Sequence, residues 1–257
     1  MPQLKVNGIQ VHFDSRGEGP PVVLIHGLGS NGKDWDPQTS VFSRQYRVIT
    51  VDLRGHGRSA KPAGPYTVQL LSDDVAAVIR RLGVEGAHIV ALSLGGALAF
   101  QLMLDYPYLV KSAVIVNSGP QLVLNRFALW QRRLLIRLFG LPYFGRVLGK
   151  RLFPDPALSD ERLRFEESFK ANETRPYLAA LNALARWNVW DQLASIEAPI
   201  LVVAADQDYT PVSFKQAYVD KLPNARLAVV PDSRHALPAE RPEAFNRLVL
   251  DFLAQHA

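Results

Sequence analysis

The 257-residue chain contains no cysteine. That removes disulfides, thiolate nucleophiles and cysteine-based metal sites together. No run of about 18 consecutive apolar residues occurs, so no membrane-spanning helix is expected. The first residues, Met1-Pro2-Gln3-Leu4-Lys5, lack the basic-then-apolar order of a secretory signal. A cytoplasmic protein is the expectation. No internal repeat or low-complexity segment is present. Acidic charge is also missing in one place: Gln121 to Phe153 holds seven basic residues (Arg126, Arg132, Arg133, Arg137, Arg146, Lys150, Arg151) and no Asp or Glu. With a formal net charge of +5, the remainder of the chain sums to about −2, so the basicity is local. What is present is ordinary for a globular protein: 48% hydrophobic and 21% charged residues. The length suits one large α/β domain with room for an inserted subdomain, burying roughly three quarters of its unfolded surface.

Short apolar runs alternate with longer amphipathic ones, the pattern of a mostly parallel sheet with helices on both faces. Asn7-Gly8 between Leu4–Val6 and Gln10–Phe13 is a strong two-residue hairpin signal. Pro21–Ile25, Arg47–Val51, Ala87–Ala91, Ser112–Val116, Ile200–Ala204 and Ala225–Val230 read as further strands. Helical spacing is expected over Leu94–Tyr106, Val68–Leu82, Val212–Leu222 and Pro242–Gln255. From about Pro120 to Trp190 the alternation stops, and several helices follow one another with breaks at Gly140-Leu141-Pro142, Pro154-Asp155-Pro156 and Arg175-Pro176. The organisation expected is a core of residues 1–119 and 196–257, interrupted by a helical lid over residues 120–195.

Ala91-Leu92-Ser93-Leu94-Gly95-Gly96 places a serine between an apolar strand and a helix of small and apolar residues. Such a corner is a sharp turn that exposes the hydroxyl above the sheet, and small neighbours let strand and helix approach. A serine hydroxyl is a weak nucleophile near neutral pH and needs a base, an orienting acid and donors for an oxyanion. In the nucleophile-elbow arrangement the acid and then the histidine follow the late strands. Of the six histidines, His12 lies in the first hairpin, His88 inside a strand and His256 at the end of the chain. His26 and His56 precede the serine. Only His235 follows a late strand and a suitable acid. After Ile200–Ala204 come Asp206 and Asp208. Asp208, further into the loop, is expected to face His235, and Asp206 to brace the turn. The oxyanion donors are expected to be the amides of Leu94, directly after Ser93, and Leu28, in His26-Gly27-Leu28-Gly29.

Together these residues resemble the α/β-hydrolase superfamily over most of the chain. The motifs that carry the resemblance are His26-Gly27-Leu28-Gly29, Asp52-Leu53-Arg54-Gly55-His56-Gly57-Arg58-Ser59, Ser93-Leu94-Gly95-Gly96, Asp208-Tyr209-Thr210-Pro211 and His235 followed by Glu240-Arg241-Pro242-Glu243. Ala91 departs from the commoner Gly. The resemblance implies an α/β-hydrolase fold, a mostly parallel eight-stranded sheet flanked by helices with an inserted helical cap. It also implies a serine hydrolase that cleaves carboxylic esters through an acyl-enzyme, with catalytic Ser93, Asp208 and His235 and no metal or cofactor. The Asp52–Ser59 loop reads as structural, which sets His56 aside. Relatives with Asp at the elbow, the epoxide hydrolases and haloalkane dehalogenases, are excluded by Ser93. Carbon–carbon bond hydrolases usually carry Gly-Pro-Gly after the oxyanion glycine and Trp beside the histidine, where this chain has Gly29-Ser30-Asn31-Gly32 and Ala236. Lactonase, thioesterase, carrier-protein methyl ester esterase and carbon–carbon bond hydrolase activities are the alternatives within the class. A small-ligand receptor that keeps the triad is the alternative outside it.

The first half of the lid is dense in Leu, Phe, Trp and Tyr between its arginines. Three readings fit: packing on the core around an acyl pocket, contact with an anionic membrane surface, or docking of an acidic carrier protein. No nucleic-acid partner is expected, because the basic stretch is interleaved with apolar residues and carries no recognition motif. A small-molecule ester is the expected substrate, with Gly27, Trp130, Trp187, Trp190 and Tyr209 at its pocket. For Trp187 and Trp190 the alternative is core packing where the lid returns to the sheet.

Overall fold

The computed structural model describes residues 2–123 and 125–256, and of Arg126 only the backbone. Leu124 and the Arg126 side chain, both part of the apolar and basic stretch read above, lie outside the described residues. Eight strands form one sheet in the order β1-β2-β4-β3-β5-β6-β7-β8: β1 Gln3–Val6, β2 Ile9–Arg16, β3 Pro21–Ile25, β4 Arg47–Val51, β5 Ala87–Leu92, β6 Val110–Val116, β7 Ile200–Ala205 and β8 Ala225–Val230. β1 and β2 pair antiparallel and β2 joins β4 antiparallel, while every pairing from β4 to β8 is parallel. The first hairpin turns on Asn7 and Gly8, with φ of 45° and 78°. Two successive left-handed residues match the twist of the flanking strands.

The continuous apolar runs of β3 to β7 are buried because helices cover both faces. Side chains alternate between two cores. Val23, Ile25, Ile89 and Ile115 pack with Leu71 and Val75 of α2 (Val68–Arg81) and Leu98 of α3 (Leu94–Asp105). Val22, Leu24, Val90 and Val114 face the other way, onto Phe245, Val249 and Phe252 of α9 (Pro242–Ala254) and Phe42 of a short helix α1 (Asp36–Phe42). This is the period-2 alternation of a pleated strand. The helix expected over Val212–Leu222 is α7, Val212–Val219. Pro223 drives Leu222 out of the helical region, so the helix cannot run to Leu222. α8 (Leu237–Glu240) is a single turn before α9.

Between β6 and β7 the chain forms α4 (Arg126–Leu152), α5 (Ser159–Lys170) and α6 (Thr174–Arg186). α4 is broken at Gly140, whose φ of 76° and ψ of 169° leave the helical region two residues before Pro142. The inserted helices have their own small core of Ile136, Leu141, Phe169, Tyr177 and Leu181. α6 is held on two sides, because Ala180 and Leu184 belong to the core of the sheet. Among the described residues no helix is long and apolar enough to cross a membrane.

Candidate active site

Ser93, Gly27, Asp208 and His235 all follow the C-terminal ends of parallel strands: β5, β3, β7 and β8. That edge is where ligands of open α/β sheets bind. Ser93 has φ 54° and ψ −113° and stands as the N-cap of α3. A β-carbon-bearing residue is strained there, and the surrounding glycines show why the chain tolerates it. A Cβ on Gly95 would come within 2.3 Å of the Ile25 carbonyl oxygen, and one on Gly96 within 2.5 Å of the Ser118 side chain. Only glycine lets α3 start this close to β3 and the end of β6. The corner is tied further by Ser93 N donating to Val116 O (3.0 Å) and Ser118 Oγ donating to Ser93 O (2.7 Å).

The backbone beside Ser93 supplies free donors. Gly27 packs so close that its missing Cβ would lie 3.4 Å from Ser93 Cβ. The turn after it closes through Ser30 N to Gly27 O (3.3 Å), with Gly29 at φ 83°. Neither the Leu28 amide nor the Leu94 amide has a hydrogen-bond partner among the described residues. Leu94 opens α3, where amides have no intrahelical acceptor and the helix dipole is positive. His26 is locked by both ring nitrogens, Nδ1 against Gly27 O (2.8 Å) and Nε2 accepting from Leu53 N (3.0 Å). Burial pulls it below the ordinary histidine range, so it braces the loop as a neutral ring.

Asp208 faces His235, with Oδ1 2.6 Å from His235 Nδ1. A proton on Nδ1 is donated to the carboxylate, which leaves Nε2 as the acceptor. Asp206 points elsewhere and accepts from Asp232 N and Ser233 N, both at 3.1 Å, holding the β8 loop against the β7 loop. Two further residues were not found from the sequence. Asn117, at φ 44°, donates to the carbonyls of Arg234 and His235 (3.1 Å each) and accepts from Ala205 N (2.8 Å), so it pins the histidine loop to the strand ends. Lys215 of α7 is fully buried, with Nζ 2.6 Å from Asp208 Oδ2. The same ammonium donates to Thr210 O (2.8 Å) and Thr210 Oγ1 (2.9 Å). Burial would raise the Asp208 carboxyl, but the hydrogen bond and charge of His235 and the charge of Lys215 outweigh it and hold Asp208 far below the usual carboxylate range. Burial pulls Lys215 below its ordinary value, and Asp208 is the charge that opposes this. A lysine one helical turn into α7 carries no motif, so only its sequence distance of seven from Asp208 was visible.

Ser93, His235, Asp208, Gly27, Leu28 and Tyr209 open on one cavity of about 1180 Å³, roofed by α4 and α5 side chains such as Leu135, Phe144 and Phe165. Ser93 Oγ and His235 Nε2 each have no hydrogen-bond partner among the described residues. The Tyr209 ring lies 4.5 Å from the imidazole, centroid to centroid, and the Arg151 guanidinium carbon lies 5.3 Å from the centroid of the Tyr209 ring.

Three of the expected pocket residues do not line this cavity. Trp187 donates Nε1 to Gln101 Oε1 (2.8 Å), and Trp190 packs on Phe214 at 5.7 Å, both against the sheet core. They anchor the returning chain, since an indole can bury its body while its N–H finds an acceptor. Trp130 is 54% exposed and stacks on Phe127, away from the cavity.

The chain matches the family model described as the alpha/beta hydrolase family over residues 22–248. It belongs to the alpha/beta hydrolase family. A Caulobacter sp. (strain K31) protein provisionally named carbamate hydrolase RutD is 32% identical, covering 96% of each chain. The crystal structure of the enol-lactonase from Burkholderia xenovorans LB400 superposes with a TM-score of 0.92 at 25% identity, covering 98% of this chain and 100% of that one. Est816, described as an N-acyl homoserine lactone degrading enzyme, superposes at 0.85 with 34% identity over 98% of this chain and all of its own. The family, the fold and hydrolytic chemistry are therefore in hand.

Proposed function

We propose that this hydrolase cleaves carboxylic esters or lactones through an acyl-enzyme formed on Ser93. The observation that carries the reading is the strained serine at φ 54° opening on the same cavity as a His235 whose Nδ1 is held by Asp208. His235 Nε2 takes the Ser93 proton as the hydroxyl attacks the carbonyl carbon. Asp208 holds the ring in the tautomer that exposes Nε2 and stabilises the imidazolium that forms. The oxyanion is met by the Leu28 and Leu94 amides, each such donor typically giving about 10²–10³ in rate. The imidazolium then protonates the departing alkoxide, and a water activated by His235 releases the acid. In a lactone the alkoxide stays tethered to the acyl group, so both products leave as one hydroxy acid. The two lactone-acting relatives support including this class beside linear esters.

The test is steady-state hydrolysis of a p-nitrophenyl ester series and of a simple lactone series by wild type and Ser93→Ala. Multiple turnover in the wild type, lost by at least about 10³-fold in the variant, is the expected result. Turnover that survives Ser93→Ala would overturn the assignment. A large ligand-dependent thermal shift with no turnover in either protein would favour a receptor.

A further inference from the structure

The outer side of the lid carries a second, small cavity of about 230 Å³. It is lined by Trp130, Arg133, Leu134 and Arg137 of α4 and by Asn182 and Arg186 of α6. Three arginines line it, and among the described residues none of them forms an ion pair. Two polar atoms at the same place are buried and have no partner, Arg133 Nε and Asn182 Oδ1. Like charges gathered without a counter-ion repel one another, and an unpaired buried donor such as Arg133 Nε is costly. A tetrahedral oxyanion with several acceptor oxygens relieves both, and guanidinium is the side chain suited to it. Arg132, one position away, turns the opposite way and donates to Tyr177 OH inside the lid. Adjacent helix positions point about 100° apart, so the sequence could not tell which arginines face out.

The surroundings distinguish between sources of such an anion. Phe127, Trp130, Leu134 and Leu138 follow the i, i+3 and i+4 spacing of one helix stripe, and all four are exposed, Phe127 and Leu138 by 64% and 65%. Phe139 and Tyr143 extend the apolar surface past the kink at Gly140. Arg146 and Lys150 are exposed further along α4, which has no acidic residue. A free phosphate would need the arginines alone and would leave this apolar stripe in water. A phospholipid surface satisfies both, the headgroup phosphate at the cavity and the acyl boundary against the stripe.

We infer that Arg133, Arg137 and Arg186 form a binding site for the phosphate of an anionic phospholipid, docking the outer side of the lid on a membrane surface. The proposal is independent of the reaction assigned to Ser93. It is tested by flotation of the full-length protein with vesicles of phosphatidylcholine alone or mixed with phosphatidylglycerol, alongside titration with inorganic phosphate followed by Trp130 fluorescence (Trp130→Phe as the blank). Binding to the mixed vesicles is expected, weakening as salt rises, with little to phosphatidylcholine. The Arg133→Gln, Arg137→Gln, Arg186→Gln variant should lose about a hundredfold in partitioning, about fivefold for each arginine. Its hydrolysis of a small soluble ester should be unchanged. Leu134→Ser with Leu138→Ser should lose partitioning while keeping all the charges, which covers a triple variant that fails to fold. Equal binding to both vesicle types, saturation by inorganic phosphate without vesicle binding, or partitioning unchanged in both variants would overturn the inference. So would self-association that Leu138→Ser abolishes in a protein that never floats.

Discussion

Replacing Lys215 by methionine leaves the shape of its site nearly filled but strips a cation from Asp208. Both side chains are buried, 0% and 1% exposed, with 2.6 Å between Nζ and Oδ2. Removing one partner of a buried pair typically costs about 3–5 kcal/mol, because the other charge stays in a poor solvent. Asp208 retains the imidazole at 2.6 Å and the Thr210 hydroxyl at 2.9 Å, so the low end, about 3 kcal/mol, is expected. At about 2–4 °C per kcal/mol for a chain of this size, Tm falls by about 6–12 °C. Asp208 carries its charge with a depressed folded value, so its contribution is present above the unfolded value near 3.9 and is lost as pH falls. Protonation of Asp208 relieves the uncompensated charge, and the deficit of Lys215→Met therefore shrinks as pH falls through the folded Asp208 value of the variant. In Asp208→Asn with Lys215→Met neither charge remains, and the two losses should add to less than their sum by about 2 kcal/mol. Kinetically, the carboxylate acts on the imidazolium without a competing cation, so the acidic limb of kcat/KM moves to higher pH. Urea denaturation of the four proteins of this cycle, with pH–rate profiles of wild type and Lys215→Met, measures both effects. A loss under about 1 kcal/mol with an unmoved acidic limb would refute the reasoning.

Gly95→Ala forces a Cβ to within 2.3 Å of a backbone oxygen that cannot rotate away. We expect about 1–3 kcal/mol of destabilisation and a fall in kcat as Ser93 shifts; unchanged stability and kinetics would show that the elbow tolerates a wider approach. Acid sensitivity should come partly from buried imidazoles. Burial and neighbouring His26 push His56 down to about 3, and burial with the charges of Lys111 and His256 pushes His88 down to about 4. Unfolded histidine titrates near 6.5, so the unfolded chain takes up protons first and stability falls as pH drops below about 6.5. For His88 the loss approaches about 3 kcal/mol by pH 4, and His88→Gln should flatten the pH dependence of urea midpoints between 7 and 4; an identical slope would remove His88 from the account.

Much of the architecture was legible in the residues because it rests on local signals. The Asn7-Gly8 turn, the apolar runs of β3 to β8 and the small residues around Ser93 act within a few positions, and each recurs in the fold where expected. Asp208 was distinguished from Asp206 by loop position, and the geometry places Asp208 against His235 while Asp206 bridges the loops. α1 was not anticipated, since seven residues carry too little periodicity to stand out. Everything that depended on which way a side chain turns was decided by packing. Lys215 and Asn117 reach their partners only because parallel strands bring the ends of β6, β7 and β8 together. Trp187 and Trp190 went to the core rather than the cavity, and Arg132 turned inward while Arg133 turned out. Sequence alone set the elements and the chemistry available at the strand ends, through short-range turn and burial preferences. Tertiary structure alone set which charges meet and which side chains face water, because those contacts join residues far apart in the chain.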